Sequence, residues 1–335
     1  PCFPNRTPSG TVARRPGAYR LQSRSLVSDK VRASGQTGTQ VAEYHPQHYH
    51  RTHSKGEDQP SRDRTPSSEE SQMTQPLVKG ETRRINESVR VDVDVESGVV
   101  WLVMESGENN VNAFTATRVD ALTDAVADHQ EDIHCLVLYG EGDFSVGADL
   151  AAIQRTPREL RPSKIDKTAA ASNRFIRTLR SLDAPVIGAI TGSAAGGGLG
   201  FALACDVIVM HEDAILDTAY ARIGLTPDNG TPFFLTRAIG PYRTRDLLFD
   251  PRPISASEAE HLGLTDRVIS GSRSEYVRDV NELAEQLAAG PTAVHGKTKA
   301  LVDSAFQTQL DEHLELEREA IRSASKSATF TEGLR

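Results

Sequence analysis

Apolar and polar positions along the chain change period several times, and each change marks an element. From Val89 to Val95 the valines alternate with Arg and Asp, the two-residue period of a strand with one buried face. A turn at Gly98 leads into Val99-Val100-Trp101-Leu102-Val103-Met104, a second strand, so the pair makes a hairpin-like start. Val111 to Phe114 reads as a loop. Thr115 to about His129 carries Val119, Leu122, Ala125 and Val126 at helical spacing, and Cys135 to Tyr139 is another strand. Residues 151–168 are polar and interrupt the pattern. A helix resumes over 169–182, with Phe175, Ile176, Leu179 and Leu182 on one face.

The stretch 185–206 organises the rest. Val186, Ile187 and Ile190 form a buried strand, a small-residue turn follows, and Gly196-Gly197-Gly198 leads into an apolar helix from about Leu199 to Ala204. Residues 206–210 are a further buried strand. After Gly240 the chain is largely helical: 241–249, 256–261, 275–289, 291–305 and 308–325. Three successive glycines cost conformational entropy, so something requires bare backbone there. Backbone N–H groups aimed at an anion or a developing oxyanion are one reason, and close helix–strand packing is the other. No Gly-Lys-Ser/Thr follows, and the spacing is not Gly-x-Gly-x-x-Gly, which disfavours nicotinamide chemistry.

Residues 1–72 are rich in Ser, Thr, Pro, Arg, Gln and His without apolar periodicity, and read as a disordered tail. His45, His48, His50 and His53 within it have no orienting surroundings, so no metal site is expected. The first methionine is Met73, and the expectation is that the natural product starts there. Charge divides at the same place: net +4 over 1–72 and −12 afterwards, the latter with only six lysines. An acid-rich, lysine-poor surface suits high salt and offers no clustered basic face for nucleic acid. There is no membrane-length apolar run and no signal-peptide pattern. Cys2, Cys135 and Cys205 do not suggest a disulfide framework. A cytoplasmic enzyme fits these features.

Phe144-Ser145-Val146-Gly147-Ala148-Asp149-Leu150 follows the strand at 135–139, about fifty residues before the triple glycine. Val111-Asn112-Ala113-Phe114, Gly224-Leu225-Thr226-Pro227, Leu235-Thr236-Arg237-Ala238-Ile239-Gly240, and Ile254-Ser255-Ala256 leading to Gly263-Leu264 complete an ordered set. From about residue 89 onward the chain resembles the crotonase (enoyl-CoA hydratase/isomerase) superfamily. The resemblance implies an α/β spiral of repeated ββα units over 73–270, and a C-terminal helical region over 271–335 that packs subunits into trimers or dimers of trimers. Relatives usually continue beyond Arg335, so the C-terminus is expected to be truncated. The resemblance also makes 151–168 a mobile flap over the acyl pocket. The substrate would be an acyl-CoA thioester, with coenzyme A entering as part of it and no separate cofactor.

The resemblance places two oxyanion-hole donors on the backbone N–H groups of Ala148 and Gly197. Around them it puts Asn112, Ala113, Val146, Gly147, Asp149, Leu150, Gly196, Gly200, Tyr220 and Phe233 at the substrate. Asp149 can also cap or brace its loop. The chain departs from the hydratase pattern. The two positions that carry glutamates in hydratases are here Gly200 and Tyr220, neither of which supplies a carboxylate. Asp228 stands where several isomerases of the family carry their one acid, with Phe233 and Phe234 as expected apolar walls. It suits a base that shifts a double bond. Pro227-Asp228-Asn229-Gly230 is equally an ordinary turn sequence. Asp217 is a second candidate, Asp206 a structural residue, and Tyr220 a filler of the space a glutamate would take. The alternatives are hydration, thioester hydrolysis or decarboxylation with another base, or acyl-CoA binding without chemistry.

Overall fold

The computed structural model describes residues 80–106 and 111–335, all within one compact unit, Asp63–Arg335. The expected tail, its histidines and the Met73 start lie outside the described residues. Among the described residues seven strands make the main sheet, in the spatial order Glu81–Asn86, Val89–Asp94, Val99–Met104, Cys135–Gly140, Val186–Ile190, Val207–His211 and Arg267–Ile269. β2 (Val89–Asp94) pairs antiparallel with both β1 (Glu81–Asn86) and β3 (Val99–Met104). β5 (Cys135–Gly140), β7 (Val186–Ile190), β9 (Val207–His211) and β12 (Arg267–Ile269) continue the sheet in parallel. Two small sheets lie beside it: β4 (Ala113–Phe114) with β6 (Gly147–Ala148), and β8 (Ser193–Ala195) with β10 (Ile215–Asp217) and β11 (Ile254–Ser255). In successive turns the chain lays one strand in the large sheet, one in a small sheet, and then a helix. That is the expected spiral.

Strands β3, β5, β7 and β9 read as continuous apolar runs because both faces of the sheet are covered. One face packs on helices α1 (Ala116–Asp128), α3 (Arg161–Ser181) and α4 (Gly197–Leu203), through Leu122, Phe175, Leu179 and Phe201. The opposite face, with Trp101, Tyr139, Ile187 and Val209, is covered by Tyr276, Val280 and Ala284. These three belong to the later helix Arg273–Ala288. Two hydrogen bonds pin that helix: Tyr276 Oη to Val209 O at 2.8 Å, and Trp101 Nε1 to Asn281 Oδ1 at 3.1 Å. β1, which periodicity does not reveal, is an exposed edge strand. Its sequence, Glu-Thr-Arg-Arg-Ile-Asn, needs no buried face and carries the charge that blocks edge pairing.

The segment 151–168, expected as a flap, is helical. α2 (Leu150–Gln154), a 3-10 turn at Arg158–Leu160 and the first turns of α3 fill the segment. Its polar side chains are the reason: Arg161 donates to Thr156 O (3.0 Å) and Gln154 O (2.9 Å), and Lys164 to Ala152 O (3.0 Å). They thus satisfy carbonyls that the end of α2 leaves open. α5 (Thr231–Phe249) begins ten residues before the expected start and bends at Gly240 (φ +76°), ahead of Pro241. Then come α6 (Ala256–Leu262), α7 (Arg273–Ala288), α8 (Thr292–Ser304), α9 (Leu310–Ala324) and α10 (Ala328–Gly333). Lys299 ties α8 to the core, donating to Leu179 O at 2.6 Å and pairing with Asp206 at 2.8 Å. α9 buries none of its residues and leaves Leu310, Leu314 and Ile321 exposed.

Candidate active site

The glycine turn and the strand before α2 are brought together by sheet pairing. β6 runs parallel to β4, and Asp149 N–H donates to Phe114 O at 3.0 Å. Alternate N–H groups of a parallel strand face opposite ways, so the Ala148 N–H is free of β4. On the other side Ser145 N donates to Ser193 O (3.0 Å), Ala195 N to Ser145 O (2.8 Å) and Gly196 N to Asp217 O (2.9 Å). Gly197 then opens α4, where a first-turn N–H has no partner inside the helix. Gly147 has φ +86°, and a Cβ there would stand 2.8 Å from Gly197 N. The two backbone donors therefore sit on segments in contact.

Two of the glycines have separate structural reasons. Gly196 (φ +52°) takes a backbone conformation open to glycine. Gly198 is a matter of packing: a Cβ would lie 2.2 Å from Ser145 O. Gly200, expected at the substrate, is buried, and a Cβ there would stand 2.3 Å from Asn229 O. Asn112 likewise serves as a brace. It is wholly buried, and its Nδ2 donates to Glu141 O (3.0 Å) and Asp143 O (2.7 Å). Its carbonyl accepts from Ser145 Oγ at 2.7 Å, and that oxygen also accepts from Gly147 N at 3.3 Å.

Arg118, which the sequence reading did not single out, completes this brace. Its guanidinium donates to Ala113 O (2.9 Å), Ser88 O (3.0 Å), Glu105 O (2.8 Å) and Asn112 Oδ1 (2.8 Å). The available signal was an arginine next to Val119, on the apolar side of α1. Val146 and Leu150 are half-buried beside the turn. Asp149 does what its position suggested: Oδ1 accepts from Ala152 N at 2.7 Å and caps α2.

The acids separate clearly. Asp206 accepts from Val186 N (2.9 Å) and pairs with Arg180 (2.7 Å) and Lys299, a structural role. Asp217 is wholly buried, with Oδ1 accepting from Ala219 N (2.9 Å) and Oδ2 from Arg222. Asp228 has no cationic partner among the described residues. It receives a hydrogen bond from Tyr220 Oη to Oδ1 at 2.9 Å, and its carbonyl accepts from Thr231 N at 3.0 Å, closing a turn over 228–231, one residue beyond the predicted 227–230. Although Asp228 as a residue is exposed, burial of the carboxyl raises its pKa above the ordinary aspartate value, and the Tyr220 hydrogen bond opposes the rise. Burial pushes the Tyr220 phenol up as well, so it stays protonated and donates.

Asn229 (φ +51°) carries the turn to the glycines: its Nδ2 stands 2.3 Å from where a Gly197 Cβ would be. Phe234 contacts Gly230, whereas Phe233 is 47% exposed beneath the Arg237 guanidinium, 3.4 Å from its ring centroid. One of the two expected walls therefore faces outward. Cys135 and Cys205 are buried, and burial pushes both thiols up to about 12, outside the range of a nucleophile. Among the described residues no helix is long and apolar enough to cross a membrane.

Comparison with known proteins gives the family. A family model described as enoyl-CoA hydratase/isomerase matches residues 94–335. The chain is 32% identical over 244 residues to 1,2-epoxyphenylacetyl-CoA isomerase of Escherichia coli (strain K12), covering 72% of this chain and 92% of that protein. It is also 32% identical over 205 residues to 4-chlorobenzoyl coenzyme A dehalogenase-1 of Arthrobacter sp, covering 61% and 74%. A crystal structure of an enoyl-CoA hydratase from Bacillus anthracis superposes with a TM-score of 0.68 at 26% identity, covering 74% of this chain and 95% of that one. The fold is the crotonase fold, and the chain belongs to the enoyl-CoA hydratase/isomerase family.

Proposed function

We propose that the protein shifts the double bond of an enoyl-CoA, with Asp228 as its single acid–base group. The substrate thioester carbonyl receives hydrogen bonds from the N–H groups of Ala148 and Gly197. Asp228 removes a proton from C2 of a 3-enoyl-CoA, the electrons move to the thioester oxygen as an enolate, and the new carboxylic acid returns the proton to C4. The double bond then lies between C2 and C3, and no atom is gained or lost. Coenzyme A takes part only as the substrate's handle. Oxyanion donors of this kind are each worth about 3–4 kcal/mol.

The observation that carries this reading is the sorting of the acids. Asp217 and Asp206 are held by cations, Gly200 and Tyr220 occupy the two hydratase glutamate positions, and of Asp206, Asp217 and Asp228 only Asp228 keeps a carboxyl oxygen without a partner residue among those described. A relative named as an isomerase fits the same reading. The test follows the absorbance of the conjugated thioester with a 3-enoyl-CoA and a trans-2-enoyl-CoA, for wild type and Asp228→Asn. A rise with the 3-enoyl substrate, lost in the variant, is expected. A fall with the 2-enoyl substrate that survives in Asp228→Asn would mean hydration by another group. Silence with both, alongside tight acyl-CoA binding, would mean a binding protein.

The same reading assigns the unburied helix α9 to subunit contacts in a trimer or a dimer of trimers. Its exposed Leu310, Leu314 and Ile321 support this, and a monomer in sedimentation would overturn it.

A further inference from the structure

Tyr220 does more than fill a glutamate's space. It is 7% exposed, in a 3-10 turn (Tyr220–Ile223) entered through a left-handed Ala219 (φ +56°). Its hydroxyl lies 2.9 Å from Asp228 Oδ1 and 3.4 Å from Thr231 Oγ1. A carboxylate cannot donate, so the phenol proton goes to Asp228, and the looser Thr231 hydroxyl points its own proton at the phenol oxygen. No other described residue is seen to hydrogen-bond to Asp228 Oδ2; beyond the phenol, the only donor acting on the carboxyl is the backbone N–H of Asp228 itself. We propose that Tyr220 is a positioning residue that clamps Oδ1 of Asp228 and leaves Oδ2 as the one atom that exchanges protons with the substrate.

This rests on reading Asp228 as the base, and it adds a consequence of its own. The neighbours of the pair carry no competing charge. α5 offers the neutral Thr231, α4 offers glycines and apolar residues, and the loop offers Asn229. Arg222, on the same 3-10 turn as Tyr220, is turned toward Asp217 and Pro251 O. No Lys, Arg, His or second carboxylate shifts Asp228; only burial, the phenol and its own backbone do. Burial favours the protonated acid, and the phenol favours the carboxylate. The clamp thus holds the base ready at lower pH than burial alone would allow. It also fixes the carboxylate rotamer, so one oxygen returns the proton it removed.

The experiment titrates the Asp228 carboxyl by 13C NMR in protein labelled at aspartate, assigned by its loss in Asp228→Asn. Tyr220→Phe is expected to raise the Asp228 pKa by about one unit, the scale of one charge-assisted hydrogen bond. The acid limb of kcat for the 3-enoyl substrate should move upward with it. An unchanged or lower pKa in folded Tyr220→Phe overturns the clamp. Should that variant fail to fold, 3-fluorotyrosine at position 220 keeps the shape and strengthens the donor. It should lower the Asp228 pKa, and no shift overturns the proposal. Full turnover by Asp228→Asn would sink the isomerase reading, while the titration still decides the clamp on its own.

Discussion

Substituting Gly198 by alanine should separate the two backbone donors while leaving every side chain of the site in place. A Cβ at residue 198 would stand 2.2 Å from Ser145 O and 2.7 Å from Ser145 C. Ordinary contacts lie at about 3.5–4.0 Å, so the glycine turn and the segment before β6 must part by more than about 1 Å. No rotamer relieves this, because the obstacle is backbone that already accepts a hydrogen bond from Ala195 N. Overpacking of this kind costs about 1–3 kcal/mol of stability. The effect on chemistry is larger. Ala148 lies three residues beyond Ser145 and Gly197 one before residue 198, so under the proposed mechanism the separation opens the gap that one thioester oxygen would bridge. Loss of one such donor costs about 3–4 kcal/mol, or about 100- to 1000-fold in kcat.

Gly263→Ala supplies the control. It has φ +75° and no atom within 4 Å of the added Cβ. It should therefore cost about 1–2 kcal/mol through left-handed strain alone, with kcat unchanged. The assay pairs kcat on the enoyl thioester with calorimetric acyl-CoA affinity and a melting curve for each variant. A folded Gly198→Ala enzyme with wild-type kcat would refute the argument. So would a loss in Gly263→Ala of the same size, since the effect would then be destabilisation alone.

Phe201 is wholly buried between Phe114 (centroids 4.8 Å, stacked) and Phe175 (5.1 Å, edge-on), so Phe201→Ala should cost about 3–5 kcal/mol. Urea unfolding reads this directly, and a cost below about 1 kcal/mol would mean that α4 is not seated as described. Asp228→Asn should melt higher than wild type at neutral pH. The folded pKa of Asp228 is raised, so between the unfolded value of about 3.9 and the folded one the native state holds more protons, and stability falls as pH rises through that window. Melting curves should converge as pH drops below that window; an Asp228→Asn enzyme less stable than wild type at pH 7 would reverse the sign.

Periodicity made the central strands legible because both sheet faces are covered, and it missed β1 because an edge strand has no face to bury. Its limit at 151–168 had a different origin. Polar side chains there close helix ends on carbonyls of their own segment, which composition alone cannot distinguish from a loop. Motif spacing located the strand-and-turn pair but not the direction of its side chains. Asn112 matched the pattern and proved to point into the backbone at Glu141 and Asp143, held there by an arginine from another element.

The acids show most clearly what the fold adds. Asp206, Asp217 and Asp228 all stand near strand ends or turns, and nothing in the sequence ranks them by burial or partner. The tertiary structure gives Asp206 two cations and Asp217 one, and these contacts, with backbone N–H donors, occupy both oxygens of each carboxylate. Asp228 receives a neutral phenol instead, eight residues away along the chain, and burial acts on its carboxyl without a cation to cancel it. Under the proposed mechanism, the one of these three acids suited to take up and return a proton is therefore the one that has no counter-charge among the described residues, a property of the pairing among elements rather than of the residue.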